Sequence, residues 1–197
     1  MIYHGRIPIT KFFMKHSLIY IPFVGLACYA LGMPFLRRYS REQLLKNPQL
    51  RKKDMETTKK VCRNIALAPT ALINFIEGTR YTKEKALKAR SSYNHLMPPK
   101  VASFALALGE IADKIDFIYN TTLCYPDNTQ KPFIDLLFGR IKNVYVNVEI
   151  IKTEKEMCGD YLNDKEYKHD ITMKMRKLWQ EKDAYLEKLL NEIKEKK

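Results

Sequence analysis

Asn74-Phe75-Ile76-Glu77-Gly78-Thr79-Arg80 follows directly on the apolar run Thr70-Ala71-Leu72-Ile73. A short apolar run of this kind reads as a buried strand. The turn after it packs a carboxylate, a glycine, a hydroxyl and a guanidinium side by side. A strand that ends this way sets charge-handling groups at the mouth of a sheet, which is where ligands sit in open α/β sheets. The glycine lets backbone approach a ligand closely. The arginine offers a planar fork that suits phosphate.

Upstream, Met33 to Arg38 reads as a second short buried strand, ending in two arginines. Residues 11 to 31 read as a helix-rich apolar stretch broken at Pro22. Leu18 to Leu36 carries no charge and approaches membrane-spanning length. Pro22, Gly25, Gly32 and Pro34 interrupt it, so a buried or membrane-embedded helix followed by a strand is expected rather than a clean span. Asp54 to Ile65 has helical spacing, with Met55, Thr58, Val61, Cys62 and Ile65 on one stripe.

Downstream, Thr82 to Asn94 reads as a basic loop or short helix, and Pro98-Pro99 punctuates the chain. Val101 to Ile111 is apolar nearly all round, which predicts a buried helix. Asp116 to Cys124 is a third strand, followed by the turn signal Tyr125-Pro126-Asp127-Asn128. From Val144 to Ile151 the pattern alternates. Val144, Val146, Val148 and Ile150 share one side, which predicts a half-buried strand. Lys165 to Lys197 reads as a long helix with Ile171, Met175, Leu178, Leu186, Leu189, Leu190 and Ile193 near one stripe. Strands alternate with helices, so the class is α/β: a mixed sheet flanked by helices, with a long C-terminal helix. The expected division is an α/β domain over 1–163 and a charged amphipathic helix over 164–197.

The 197 residues suit one core, and 46% hydrophobic residues exclude wholesale disorder. Lys and Arg number 35 against 22 Asp and Glu, a net charge of +13 that favours polyanionic partners: nucleic acid, anionic membrane or phosphorylated small molecules. No nucleic-acid reader motif or aromatic-basic platform accompanies the charge, so no nucleic-acid partner is expected. The four cysteines, Cys28, Cys62, Cys124 and Cys158, are far apart and lack metal-ligand spacing; they read as reduced packing residues. Met1 to Lys11 shows no signal-peptide pattern.

Phe75-Ile76-Glu77-Gly78-Thr79-Arg80 resembles the F-x-E-G-T-R block of the glycerophospholipid acyltransferases, the family of lysophosphatidic acid acyltransferase. The resemblance implies that Glu77 binds or orients the glycerol of the acceptor, that Gly78 gives the backbone its close approach, that Thr79 donates to the same group and that Arg80 pairs with phosphate. Phe35-Leu36-Arg37-Arg38 looks like a second family block, in which Arg38 helps to bind the acceptor phosphate. Arg38 and Arg80 are then expected to converge on one phosphate-sized site. Leu96-Met97-Pro98-Pro99-Lys100 is similar to a family element leading into a helix, where Lys100 serves phosphate or acyl-carrier binding or simply starts the helix. Arg37-Arg38-Tyr39-Ser40 and the Tyr125-Pro126-Asp127-Asn128 turn resemble a bacterial branch of inner-membrane acyltransferases. The resemblance runs from about Lys11 to beyond Tyr161 and implies a lysophospholipid acceptor, an acyl-CoA or acyl-carrier-protein donor and no cofactor or metal. It also implies association with a membrane surface, on the cytoplasmic face of the inner membrane.

The family's chemistry rests on an H-x-x-x-x-D pair, in which histidine takes the proton of the attacking hydroxyl and aspartate orients the imidazole. Five residues after His4, His16, His95 and His169 stand Ile9, Ile21, Lys100 and Lys174, none of them acidic. The expectation is that Met1 starts just downstream of the catalytic block, so that no catalytic residue is assigned. A misassigned start, a truncated gene and a non-catalytic relative all account for this. The sequence therefore predicts a lysophospholipid acyltransferase domain with little activity as it stands. The alternative is a non-catalytic basic protein that binds anionic membrane or phospholipid.

Overall fold

Residues 8–33, 35–36, 46–47, 49–65, 69–126 and 132–196 are described by a computed structural model of the chain. They form two units: Met1–Ile76 with Lys100–Lys114 and Glu154–His169, and Glu77–Pro99 with Ile115–Thr153 and Asp170–Lys197.

In the first unit, β1 (Ile9–Phe12) pairs in parallel with β4 (Thr70–Ile73), Ile9 opposite Thr70 and Phe12 opposite Ile73. β2 (Met14–Lys15) pairs in parallel with β3 (Phe35–Leu36). The β-branched residues Ile9, Thr10, Thr70 and Ile73 suit a pleated surface. The helix-rich reading from Lys11 is thereby corrected: Lys11-Phe12 and Met14-Lys15 are strand. Four residues are too few for periodicity to separate strand from helix.

The uncharged stretch breaks up as its prolines and glycines predict, into a 3₁₀ turn (His16–Tyr20) and the short helix α1 (Val24–Ala30). It is not buried. Tyr20, Leu26 and Tyr29 are exposed, and Phe23 keeps 88% of its surface open. Among the described residues no helix is long and apolar enough to cross a membrane.

The core of this unit is the contact of α2 (Gln49–Ile65) with α4 (Val101–Ile111). Thr58 and Cys62 on the predicted stripe of α2 are buried, as are Val101, Ala105, Leu106, Ala107, Leu108 and Ile111 of α4. Small side chains on α4 allow close approach. At Gly109 a side-chain carbon would run into the carbonyl of Gly159. Glu110 accepts from Arg63 at 2.6 Å and lies 3.2 Å from Lys59, which reaches Asp160 at 3.7 Å. Burial raises the Glu110 pKa, but the bonds from Arg63 and Lys59 outweigh it and hold the carboxyl below its usual range. Burial, seconded by Glu110, pushes the Cys62 thiol up to about 11, so it is a packing residue rather than a nucleophile.

The second unit contains α3 (Lys83–Lys88), β5 (Phe117–Cys124), α5 (Pro132–Leu137), β6 (Tyr145–Lys152) and most of α6 (Lys165–Glu195), whose first turn belongs to the other unit. β5 and β6 are antiparallel, with Tyr119 opposite Ile150, Thr121 opposite Val148 and Leu123 opposite Val146. Here the half-buried reading of β6 is corrected. The face carrying Tyr119, Leu123, Val146, Val148 and Ile150 is the open one, with Tyr119 and Ile150 59% and 64% exposed. The polar face is engaged by α6: Lys182 Nζ donates to Asn120 Oδ1 at 2.9 Å and Thr121 O at 2.8 Å, while Asn120 Nδ2 donates to Glu149 Oε2 at 2.9 Å. A desolvated ammonium needs acceptors, and these strands supply them.

Parallel and antiparallel pairs, helices between them and a long terminal helix make this an α/β fold, as the sequence predicts. Its described strands form three two-stranded sheets.

Candidate functional site

β4 ends at Ile73, and the chain leaves the first unit between Ile76 and Glu77. It returns at Lys100, whose N–H donates to the Ile76 carbonyl at 2.9 Å. The motif thus opens an excursion, 77–99, whose ends are tied together. Lys100 is the residue before the first turn of α4, so the helix-start reading of this lysine describes its place. Just ahead of the excursion, Asn74 Nδ2 is buried with no hydrogen-bond partner among the described residues.

Gly78 has φ +66°, in the left-handed region that an L side chain seldom adopts. The turn Glu77-Gly78-Thr79-Arg80 therefore needs glycine for its own backbone. It leaves Glu77 half-buried, with Thr79 and Arg80 exposed. Thr82 caps α3, its Oγ1 accepting the Lys85 N–H at 3.2 Å. That cap aims the Lys85 side chain back over the turn, where Nζ donates to Thr79 Oγ1 at 3.2 Å. Lys85 was not singled out from the sequence. Its signal is the Thr-x-x-Lys spacing at a helix start, one turn beyond the motif.

Glu77 Oε2 accepts the Met97 N–H at 2.8 Å. Burial holds the carboxyl above its usual range. The Met97 N–H and the Lys182 charge pull it back, and Asp183 adds to the rise. Glu77 is thus anchored to the loop before α4 through one oxygen. Lys182 shows the reverse balance, its ammonium disfavoured by burial and partly restored by Glu77 and Glu149.

Arg38, with Arg37, Tyr39 and Ser40, lies outside the described residues, as do Asp127 and Asn128 of the later turn. The motif residues Glu77, Gly78, Thr79 and Arg80 stand together in one unit, where Lys85 joins them. No group of three or more His, Cys, Asp or Glu side chains that could hold a metal occurs among the described residues.

Comparison with known proteins supports the same reading. The family model described as Acyltransferase matches residues 1–113. The chain is 25% identical over 193 residues to 1-acyl-sn-glycerol-3-phosphate acyltransferase delta of Mus musculus, covering 90% of this chain and 45% of that protein. It is 24% identical over 200 residues to the human gamma enzyme of the same name, covering 93% and 46%. The chain thus spans about half the length of the curated relatives it matches. No solved structure matches. With more than half of its length under the family model and the Glu-Gly-Thr-Arg turn intact, this chain belongs to the acyltransferase family, among the glycerophospholipid acyltransferases that its motif resembles.

Proposed function

We propose that this chain carries the acceptor-binding side of a lysophospholipid acyltransferase and takes a 1-acyl-glycerol-3-phosphate at the Glu77–Arg80 turn. The observation that supports this most is the pairing of Thr79 with Lys85 beside an exposed Arg80, in a turn whose Gly78 backbone is left-handed. A lysine on a hydroxyl, with an exposed arginine next in sequence, suits a phosphate monoester, which accepts several charge-assisted bonds. Glu77, one oxygen held by Met97, is suited to a neutral glycerol hydroxyl and unsuited to phosphate, since two anions in contact repel.

In the parent reaction the free hydroxyl of the acceptor attacks the thioester carbonyl of acyl-CoA or acyl-carrier protein, and the thiol leaves. That hydroxyl must lose its proton, and no histidine in the 197 residues is followed by aspartate at the family spacing. General-base catalysis contributes about a hundred- to ten-thousand-fold, so residues 1–197 alone are expected to bind acceptor with little turnover.

The test is titration of the purified chain with a lysophosphatidate, alongside an acyl-CoA transfer assay. Saturable binding that is lost in Arg80→Ala supports the reading; equal binding by parent and variant rejects it. The same titration on Arg38→Ala tests the residue that enters through resemblance alone. Robust turnover dependent on one of the four histidines would overturn the low-activity part.

A second reading, favoured by the exposed apolar side chains and the +13 charge, is peripheral binding to an anionic membrane without catalysis. The two are compatible, because an acceptor of this class resides in a membrane.

A further inference from the structure

Trp179, Asp183 and Glu187 recur just over one turn apart and so share a face of α6. All three engage one loop. Asp183 accepts the N–H of Asn94 and of His95, each at 2.8 Å. His95 Nε2 and Glu187 Oε2 lie 2.6 Å apart. The Trp179 indole N–H donates to the Met97 carbonyl at 3.1 Å. Met97 is therefore held from both sides, its carbonyl by the helix and its N–H by Glu77 of the motif.

Asp183 and Trp179 are only 9% and 5% exposed, on the same stripe as the buried Met175 and Leu186. An acid on an apolar stripe costs stability unless its oxygens are satisfied. Leucine would serve packing there as well as Leu186 does. What aspartate adds is a pair of acceptors that fixes two consecutive backbone amides. Such a bond pair sets the loop's position far more narrowly than apolar contact, which is non-directional.

We propose that Asp183, assisted by Trp179, is a positioning residue that fixes the 94–97 loop and thereby aims the Glu77 carboxylate, so that acceptor binding at the motif is coupled to the C-terminal helix. The proposal rests on the acceptor reading of Glu77–Arg80.

The experiment uses the full chain and a short-chain lysophosphatidate as probe. Trp179 is the single tryptophan, so its emission reports on the clamp directly. In the parent chain the probe should shift that emission and slow amide exchange at Met97. Asp183→Asn keeps the shape but turns a donor toward one of the two amides. It should raise the probe's Kd about tenfold, the scale of a lost charged hydrogen bond, and speed exchange at His95 and Met97. Asp170→Asn, on the exposed start of the same helix, should change neither.

Asp183→Asn that lowers the melting temperature yet binds as the parent does, at a temperature where both are folded, would show a merely structural role and overturn the proposal. If Asp183→Asn does not fold, Trp179→Phe decides, since it removes the indole donor and keeps a ring. Parent-like affinity and Met97 exchange in that variant refute the coupling. Binding lost in Arg80→Ala but intact in Asp183→Asn refutes the clamp alone. A parent chain that binds no probe, or an Arg80→Ala that binds as well as the parent, sinks the acceptor reading and the coupling with it.

Discussion

Lys85 places a cation on the hydroxyl of Thr79, and its value can be separated from that of Arg80. Lys85→Ala is expected to weaken lysophosphatidate binding about threefold, less than Arg80→Ala, because an exposed ammonium is strongly hydrated. Titrations at low and high salt check this, and the Lys85 effect should shrink as salt rises. Glu77 gives a prediction of opposite kind. Its folded pKa lies above the unfolded one, since burial disfavours the carboxylate. The sign follows: the stability it contributes is full below the unfolded pKa of about 4.3 and is lost as pH rises through the folded value. Glu77→Gln, which keeps an acceptor for Met97, should therefore melt above the parent at about pH 7 and near it at about pH 4. Differential scanning fluorimetry across that range is the measurement. Gly78 was read from the motif as giving close approach to a ligand; its left-handed backbone is a separate need, visible only in the fold. Asp183 was not, because an acid on an apolar stripe reads as surface until its amide partners are known. The stripe named from the sequence holds at Ile171, Met175 and Leu186, and Trp179 and Asp183 complete it.

At the scale of elements, α4 was the most legible, because a run apolar on every side has only the interior to occupy, and its bounds match the reading residue for residue. The close approach of α4 to Gly159 makes a firm prediction. Gly109→Ala should cost about 1–3 kcal/mol by overpacking, despite alanine's better helix propensity. Urea unfolding of parent and variant measures it, and a neutral or stabilising result would show that the contact gives way. The strands were less legible. Alternation in β6 correctly sorts its residues into two faces, but alternation cannot say which face is covered. Lys182 decides that, since it lodges against Asn120 and Thr121 and claims the polar side. β1 escaped notice because Ile9-Thr10-Lys11-Phe12 acquires its identity from β4, distant in sequence.

Over the whole molecule, apolar surface stays open in both units: around Tyr20, Phe23, Leu26 and Tyr29 in one, and along Tyr119, Val148 and Ile150 with Leu137 and Phe138 in the other. Patches of this kind mark contact sites or aggregation liabilities. With a +13 charge, the chain is expected to sediment with anionic vesicles at low salt and much less with neutral ones. Phe23→Ser together with Leu26→Ser should weaken that binding several-fold, and unchanged co-sedimentation would remove this surface from consideration. The threading of the two units has a separate consequence. The chain passes between them five times, at 76/77, 99/100, 114/115, 153/154 and 169/170. No single cut in the gene yields either unit whole. During translation at about 5–20 residues per second, the first unit lacks its last piece until His169 has cleared the ribosome, by which time two pieces of the second are already waiting. The first unit thus stays incomplete through most of its synthesis, and holdase chaperones have their longest opportunity while the paired β1 and β4 wait for residues 154–169.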